Sequence, residues 1–284
     1  MNIPSRAFCV FVCIFFCFFV CLSHALDTLR PGESLHRYDT LVSDNGVFEL
    51  GFFYSSTKSV QGYLGIWLKN DKKRRPLWVS NRNAPLLDSS AVLNINSDGD
   101  LSISDLTYVP FVVNYGAHAE TNNTSATILD SGNLILMEGG KTFWQSFDYL
   151  TDTFLPGMKL GMVNMTNHQL ENMFLLSWKS ACDPTDGVLG LSMDKYNTQL
   201  NVWRDGGPEK QIGYWDGHVF RFLFKTRSDN YNFSYVLNSK ERYLTFHNKE
   251  SDTYSWFALA SDGKIQEFHD GRTGDFGCES FGVW

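Results

Sequence analysis

The sequence has few charged residues and almost no concentration of positive charge. Lys, Arg, Asp and Glu make up 19% of its 284 residues, and the formal net charge is −7. The one basic run is Lys72 to Arg75. A short run of this kind is typical of a solvated loop or of charged residues that protect an edge strand from pairing. Proteins that bind nucleic acid need a broad basic surface. The composition therefore predicts that neither DNA nor RNA is a partner.

The sequence also lacks the pattern of an amphipathic helix. No run combines apolar residues at i, i+3, i+4 and i+7 with capping residues at both ends. Aromatic residues, which favour strands, make up 15% of the chain. A chain of this length can form one large or two ordinary domains. These features predict an all-β protein.

Local signatures of common catalytic and metal sites are missing as well. The seven histidines are scattered, and no HExxH pair, CxxC pair or GxSxG elbow occurs. Asp275-Phe276-Gly277 spells the magnesium-binding tripeptide of protein kinases, but no Gly-rich loop or His-Arg-Asp loop precedes it. Paired carboxylates of a glycoside hydrolase can lie far apart in sequence, so that reaction stays open. The sequence predicts a non-enzyme with no catalytic residue, no metal ligand and no cofactor.

Residues 1–25 have the features of a secretory signal peptide. A basic residue precedes an uncharged apolar run over 8–22, and Ser23 and Ala25 suit a cleavage site. The run is short for a membrane span, although an uncleaved anchor stays an alternative. No later run resembles a transmembrane helix. We expect a secreted chain in the apoplast or cell wall, beginning near Leu26.

Cysteine is scarce outside this segment, which contains four of the six cysteines. The remaining two, Cys182 and Cys278, can pair in an oxidising compartment, and a bridge over so long a loop stabilises by about 4 kcal/mol. The sequence does not decide whether their Cα atoms approach closely enough, so pairing stays open. Export also makes the Asn-x-Ser/Thr sequons relevant. The candidate sites are Asn122, Asn123, Asn164 and Asn232, and we expect a glycan on at least one of them. The sequons of Asn122 and Asn123 overlap, so we expect a single glycan on that pair.

A repeated turn pattern organises the chain. A Gly after Asp, Asn or Ser, followed by alternating apolar residues, occurs at 44–46, 97–99 and 130–132, which predicts three hairpins and a pseudo-threefold set of small sheets. The third belongs to a three-stranded meander with a second turn at Gly139-Gly140. The Pro- and Gly-punctuated segment 153–157 then reads as a junction between two β units. Looser turn signals in the second half stand at 186–187, 216–217 and 261–263.

Several longer motifs carry a resemblance to a known family. They are Phe48 to Phe53, Tyr63 to Trp67, Trp78 to Arg82, Leu129 to Leu134, Trp144 to Asp148, Leu155 to Gly161 and Ser177 to Ser180. In this order they resemble the amino-terminal half of plant S-locus glycoproteins and the ectodomain of G-type lectin S-receptor-like kinases.

The resemblance implies a bulb-type lectin domain with a β-prism fold at 26–150. It implies a second, lectin-like S-locus glycoprotein domain at 151–275, and the truncated start of a cysteine-rich region at 276–284. Receptors of this kind continue with a cysteine-rich module, a PAN module, a transmembrane helix and a kinase.

The resemblance also locates the positions where a bulb lectin holds mannose. The family strand Gln-x-Asp-x-Asn-x-Val-x-Tyr presents polar side chains on one face. One frame here places Asn96, Asp98, Asp100, Ser102 and Ser104 at those positions, and only Asp98 matches. The next frame places Leu129, Ser131, Asn133, Ile135 and Met137 there, and only Asn133 matches. We therefore expect a degenerate sugar site whose Asn96, Asp98, Asp100 and Asn133 serve as turn residues.

The function implied is extracellular recognition by a secreted, non-catalytic glycoprotein, in pollen recognition or defence perception. Two alternatives stay open: a genuine mannose- or glycan-binding lectin, and a non-functional fragment of a receptor-like kinase. The expected partners are weakly bound glycans or a receptor or ligand protein at the cell surface. Membrane contact is expected only through secretion or an uncleaved signal anchor.

Overall fold

The computed structural model describes residues 26–55, 61–88, 90–106, 109–194, 196, 198–223, 230–250 and 254–269. Within these residues the regular structure consists of β-strands and short 3-10 segments, of which Ser146–Asp148 is described in full. The prediction of an all-β protein is confirmed. The expected leader, 1–25, and the Asp275 tripeptide lie outside the described residues. In the part that is described, no helix has the length and apolar character needed to cross a membrane.

The first twelve strands form three four-stranded antiparallel sheets. Their bounds are β1 Thr28–Leu29, β2 Ser34–His36, β3 Thr40–Val42, β4 Phe48–Tyr54, β5 Gly62–Leu68, β6 Pro76–Val79, β7 Val92–Ile95, β8 Leu101–Ser104, β9 Phe111–Val112, β10 Thr124–Ile128, β11 Leu134–Glu138 and β12 Lys141–Gln145. The strand orders are β3-β4-β5-β6, β2-β7-β8-β9 and β1-β10-β11-β12. The amino-terminal strands β1 and β2 thus complete sheets made of later strands. Side chains from all three sheets share one core, so the pseudo-threefold β-prism is as predicted.

The three Gly turns recognised in the sequence are hairpin connections of these sheets. Gly46 joins β3 to β4, Gly99 joins β7 to β8, and Gly132 joins β10 to β11, with φ angles of 74°, 86° and 80°. Residues with a Cβ are strained in this left-handed region, whereas glycine is not. A Cβ added at Gly132 would also lie 2.7 Å from the ring of Phe48. Backbone geometry and packing therefore both require glycine at this turn.

The remaining strands form three more antiparallel sheets. Their bounds are β13 Thr153–Phe154, β14 Leu160–Asn164, β15 Leu170–Met173, β16 Leu175–Ser180, β17 Asp183–Met193, β18 Gln199–Arg204, β19 Gly207–Trp215, β20 Phe220–Phe222, β21 Tyr231–Leu237, β22 Arg242–Asn248, β23 Ser255–Leu259 and β24 Ile265–His269. The orders are β13-β23-β24, β15-β14-β22-β21 and β16-β17-β18-β19-β20. Each sheet takes its strands from one side of the β12–β13 connection. We call β1–β12 the first unit and β13–β24 the second unit, and we propose 26–150 and 151–275 as their domain boundaries.

The looser turn signals of the second unit have mixed outcomes. Gly217 and Gly263 lie at the β19–β20 and β23–β24 turns with φ of 97° and 82°. Gly187, by contrast, lies inside β17, where the pairing with β16 is irregular. A Cβ at Gly187 would collide with Ser177 and Trp178 of β16. The glycine there serves close strand approach instead of a turn.

The two units are joined through buried polar side chains as well as apolar ones. Arg75, which ends the basic run, is buried and forms an ion pair with Asp152 of the second unit. The interpretation of the basic run as a solvated loop or an edge-strand guard is therefore wrong for Arg75. The preceding residue, Asp71, holds the backbone of the run in place. Its carboxylate accepts hydrogen bonds from the backbone N–H groups of Lys73 and Arg75, both at 3.0 Å.

Candidate functional site

The second hairpin turn contains three of the degenerate sugar-site positions. Asn96 Oδ1 accepts hydrogen bonds from the backbone N–H groups of Asp98 at 2.9 Å and Asp100 at 3.0 Å. Asp98 is exposed at the tip of the turn. The Asn96 side chain thus closes the hairpin, which is the role of an Asx turn.

Asp100 lies under the loop that follows β9. Its Oδ1 accepts from Asn114 Nδ2 at 2.7 Å and from the Ala119 N–H at 3.2 Å, and His118 Nδ1 lies 2.8 Å from its Oδ2. Burial by itself raises the pKa of Asp100, but the hydrogen bonds from His118, Asn114 and Ala119 outweigh it and hold the pKa below its ordinary value. The carboxylate therefore fastens a loop and is already occupied by protein groups.

Asn133, the match in the other frame, is buried beside the third hairpin turn. Its Oδ1 accepts from Ser146 Oγ at 3.0 Å and from the Phe147 N–H at 3.2 Å, and its Nδ2 donates to Gln145 Oε1 at 2.8 Å. Gln145 Nε2 donates in turn to Asp148 Oδ1 at 2.8 Å. We call this hydrogen-bonded set, Asn133 with Gln145 to Asp148, the bracket. It holds the short 3-10 helix beside the start of β11.

An open cavity of about 520 Å³, here the hairpin cavity, lies against this bracket. Its polar lining comes from both units: Ser131, Asn133, Gln145 and Asp148 from the first, and Lys159, His247, Asn248 and Glu250 from the second. The second-unit wall was not predictable from the sequence, because β22 reaches the third hairpin only through tertiary folding. The Leu155-Pro156-Gly157 motif is the recognised sequence feature that contacts this wall. Its Gly157 N–H donates a hydrogen bond to Phe246 O of β22 at 2.9 Å.

The hairpin cavity has charges of both signs, and several are engaged. Asp148 Oδ2 accepts from the Thr166 N–H at 2.7 Å. Lys159 Nζ lies 3.5 Å from Glu241 Oε1 and 4.6 Å from the centre of the Tyr243 ring. Among the described residues, no group of three or more His, Cys, Asp or Glu side chains could hold a metal ion. Phe48, Phe147 and Tyr254 also line the cavity, so the arrangement suits noncovalent binding of a ligand with both polar and apolar surfaces.

The four sequon asparagines all have exposed side chains. Asn122 and Asn123 precede β10, Asn164 ends β14, and Asn232 lies on β21. The hydroxyl of Thr124, which completes the Asn122 sequon, is buried and donates to Gly99 O at 2.8 Å in the folded chain. Exposure permits a glycan at each asparagine, and glycosylation stays a prediction.

Cys182 is half-buried and forms a disulfide in this structure. Cys278 lies outside the described residues. The Cys182–Cys278 pairing therefore stays a prediction.

Comparisons with known sequences support the resemblance drawn from the motifs. Residues 76–179 match the family described as D-mannose binding lectin. The chain is 34% identical over 256 residues to receptor-like serine/threonine-protein kinase SD1-8 of Arabidopsis thaliana, which covers 87% of this chain and 30% of that protein. It is 32% identical over 251 residues to S-locus-specific glycoprotein S6 of Brassica oleracea, which covers 85% of this chain and 57% of that protein. The resemblance to S-locus glycoproteins and G-type lectin S-receptor-like kinases is thus confirmed, and the chain spans only part of these relatives.

Two solved lectins are similar over less than half of the chain. A lectin from Marasmius oreades is 22% identical with a TM-score of 0.31, covering 43% of this chain and 90% of that one. A monomeric monocot mannose-binding lectin from Gastrodia elata is 19% identical with a TM-score of 0.33, covering 42% and 96%.

Proposed function

We propose that this chain, which contains a lectin domain related to those of S-locus glycoproteins and G-type lectin receptor kinases, is a secreted recognition protein without catalytic activity. One observation carries the proposal: the similarity to these relatives extends over 81% to 93% of the chain and so includes both units. The match to the D-mannose binding lectin family is shorter and covers residues 76–179. The role in pollen recognition or defence perception is part of this proposal.

The geometry supports recognition by surfaces that both units build. The degenerate sugar positions Asn96, Asp100 and Asn133 bond to the protein itself. The hairpin cavity is open, and both units contribute polar and apolar side chains to its lining. A cell-surface receptor or its ligand is the partner class that we propose, with glycans as weaker partners.

The first test is secretion. The chain is expressed with its own leader in plant cells, and the culture medium is analysed by mass spectrometry with and without glycosidase treatment. We expect a glycosylated product that begins near Leu26. Retention or degradation inside the cell would contradict the proposal and favour a non-functional receptor fragment.

The second test is partner capture. The secreted chain is presented to cells that express a G-type lectin receptor kinase, and co-precipitation is measured against an unrelated secreted glycoprotein. Specific capture of a receptor ectodomain or of its ligand is expected. A chain that is secreted and folded yet captures neither would contradict the recognition role.

Mannose binding is the second candidate, and the match of residues 76–179 to D-mannose binding lectins favours it. Asp98→Ala is the clean probe because Asp98 is exposed at a turn. Asn133→Ala is a poor probe, because it removes the acceptor of the Ser146 and Phe147 hydrogen bonds and so destabilises the fold. Mannose affinity that Asp98→Ala abolishes, at unchanged stability, would establish this candidate.

A further inference from the structure

A second and larger cavity opens between the two units. It is a cleft of about 710 Å³, here the aromatic cleft, and Asp148 lines both this cleft and the hairpin cavity. The first unit contributes β6, the turn that follows it and the segment 111–116, and the second unit contributes the β14–β15 hairpin. The volume lies within the range of sites that bind small organic ligands.

The floor of the aromatic cleft consists of packed rings. Trp144 and Tyr149 stack with centroids 5.4 Å apart, and Trp78 meets Trp144 edge-on at 6.2 Å. Trp78 Nε1 donates a hydrogen bond to Tyr149 O at 2.8 Å. These contacts fix the floor before any ligand arrives, which lowers the entropy lost on binding.

Each unit adds one exposed ring at this cleft. Tyr115 of the first unit is 77% exposed and Phe174 of the second is 48% exposed. The backbone at both positions is fixed, because Tyr149 Oη donates to Tyr115 O at 3.2 Å and Phe174 stands between the buried Met173 and Leu175. An aromatic side chain on a fixed backbone has only two torsions left to order, so it offers a flat apolar face to a ligand at little cost in conformational entropy.

The walls between these rings are rich in carboxamides. Asn83, Asn167, Gln169 and Asn172 line the cleft, and each carboxamide offers both donors and an acceptor. Their orientation is partly set by the protein, since Asn83 Nδ2 donates to Asp186 Oδ2 at 2.6 Å and Asn167 Nδ2 to Gln169 Oε1 at 3.1 Å. Rings and carboxamides side by side match the apolar faces and hydroxyl edges of sugars.

The charges of the aromatic cleft exclude an anionic ligand. Among its described lining residues the cation is Arg82, whose guanidinium already donates to the carbonyls of Leu176, Ser177 and Pro184. Glu171 is exposed on the other wall. An acidic polysaccharide would thus meet a carboxylate without a cation to balance its own charge.

We propose that the aromatic cleft binds a short neutral oligosaccharide, with sugar faces on Tyr115 and Phe174 and hydroxyls on the carboxamides. This proposal rests on the recognition role and gives it a ligand class and a site. The degenerate mannose-motif positions Asn96, Asp98, Asp100 and Asn133 are not among the residues that line this cleft.

The test is calorimetric titration of the full chain produced in insect cells and enzymatically deglycosylated, so that no glycan at Asn164 covers the cleft. The probes are mannotetraose, cellotetraose and, as the charged comparison, tetragalacturonate. At least one neutral probe is expected to bind. Tyr115→Ala and Phe174→Ala are each expected to lower that affinity by about tenfold. Tyr38→Ala and Tyr214→Ala, which remove exposed rings elsewhere, are expected to leave it unchanged.

Three results would overturn the proposal. They are a folded protein that binds neither neutral probe, tighter binding of tetragalacturonate than of both neutral probes, and binding that survives both cleft substitutions but is lost in Asp98→Ala. Thermal unfolding of every variant separates lost binding from lost folding. Secretion and receptor capture are measured independently, so the recognition role can stand even if the aromatic cleft proves empty of sugar.

Discussion

Arg75 and Asp152 form an ion pair that joins the two units. Nη2 of Arg75 lies 2.8 Å from Oδ2 of Asp152, and the two side chains are 6% and 2% exposed. The guanidinium also lies 5.5 Å from the ring centre of Trp178 and 5.7 Å from that of Phe268. Burial lowers the pKa of Arg75, and the Asp152 carboxylate opposes that shift. Asp71 acts in the same direction as Asp152 but more weakly, so the carboxylate across the unit boundary is the main counter-charge of the buried cation.

Asp152→Ala is expected to destabilise the protein by about 3–5 kcal/mol, because it removes the main counter-charge of a buried cation. The double variant Arg75→Met/Asp152→Ala is expected to lose less than the sum of the two single variants. Urea unfolding of all three measures this. Glu209→Ala is the control, since it breaks an ion pair with Arg204 in which both side chains are 45% exposed, and it is expected to change the unfolding midpoint little. Equal losses in the buried and exposed variants would contradict the prediction.

Arg82→Lys is expected to loosen the contact between the units. The Arg82 guanidinium donates to Pro184 O at 2.6 Å, Leu176 O at 3.0 Å and Ser177 O at 2.8 Å. A lysine keeps the charge but lacks the planar fork that reaches all three carbonyls. We expect the free energy of unfolding to fall by about 2 kcal/mol. We also expect a broader thermal transition, because the two units would unfold less cooperatively.

Arg221→Lys is the matched control for Arg82→Lys, because Arg221 is an exposed partner of Asp216 on the β19–β20 turn. We expect little change in its unfolding midpoint. Similar shifts at both positions would remove the argument that the Arg82 fork joins the units.

The hairpin glycines offer a graded series. Gly46→Ala meets open space and is expected to cost only the strain of its left-handed backbone, about 1–2 kcal/mol. Gly132→Ala has the same strain and also forces the Phe48 ring to move, which adds about 1–3 kcal/mol. Denaturant midpoints of the two variants test this order. A smaller loss of stability in Gly132→Ala than in Gly46→Ala would contradict the prediction, because it would show that the Phe48 ring moves aside at no cost.

Asp100 is expected to make part of the stability acid-sensitive. Its folded pKa lies below the ordinary value of 3.8 because the hydrogen bonds from His118, Asn114 and Ala119 outweigh burial. The sign follows from linkage: the contribution is fully present above pH 3.8 and is lost as the pH falls through the folded value. The melting temperature of Asp100→Asn should therefore approach that of the unsubstituted protein below this window.

The control for the Asp100 measurement is Asp98→Asn, which removes an exposed carboxylate from the same turn. The pH dependence of the melting temperature in this variant is expected to follow the unsubstituted protein. A constant gap between Asp100→Asn and the unsubstituted protein down to strong acid would contradict the assignment.

Much of the architecture could be predicted because it depends on local rules. The Gly turns at Gly46, Gly99 and Gly132 need a conformation that few other residues adopt, and alternation after each turn fixes which side chains face the core. The meander through Gly139-Gly140 followed from the same signals. Gly187 was misread as a turn, because a glycine that admits a neighbouring strand looks the same in sequence as one that turns the chain.

The candidate sites were only partly predictable. The sequence located Asn133 and Asp100 but did not show that their side chains are occupied by Ser146, Phe147 and Asn114, which lie in other segments. It also gave no indication that Tyr115 and Phe174 meet at one cleft. Which residues line a cleft between two units depends on how the units pack, and the spacing of residues along the sequence does not show it.

The sequence by itself determined the β class, the three hairpins and the resemblance to S-locus glycoproteins, because turn conformation, strand alternation and ordered motifs are properties of neighbouring residues. Only the tertiary structure decided that Arg75 of a basic run is buried against Asp152. The physical reason is that a charge can leave water when folding brings an opposite charge and aromatic faces to it. Those groups here come from the other unit, and their arrival is a property of the whole fold.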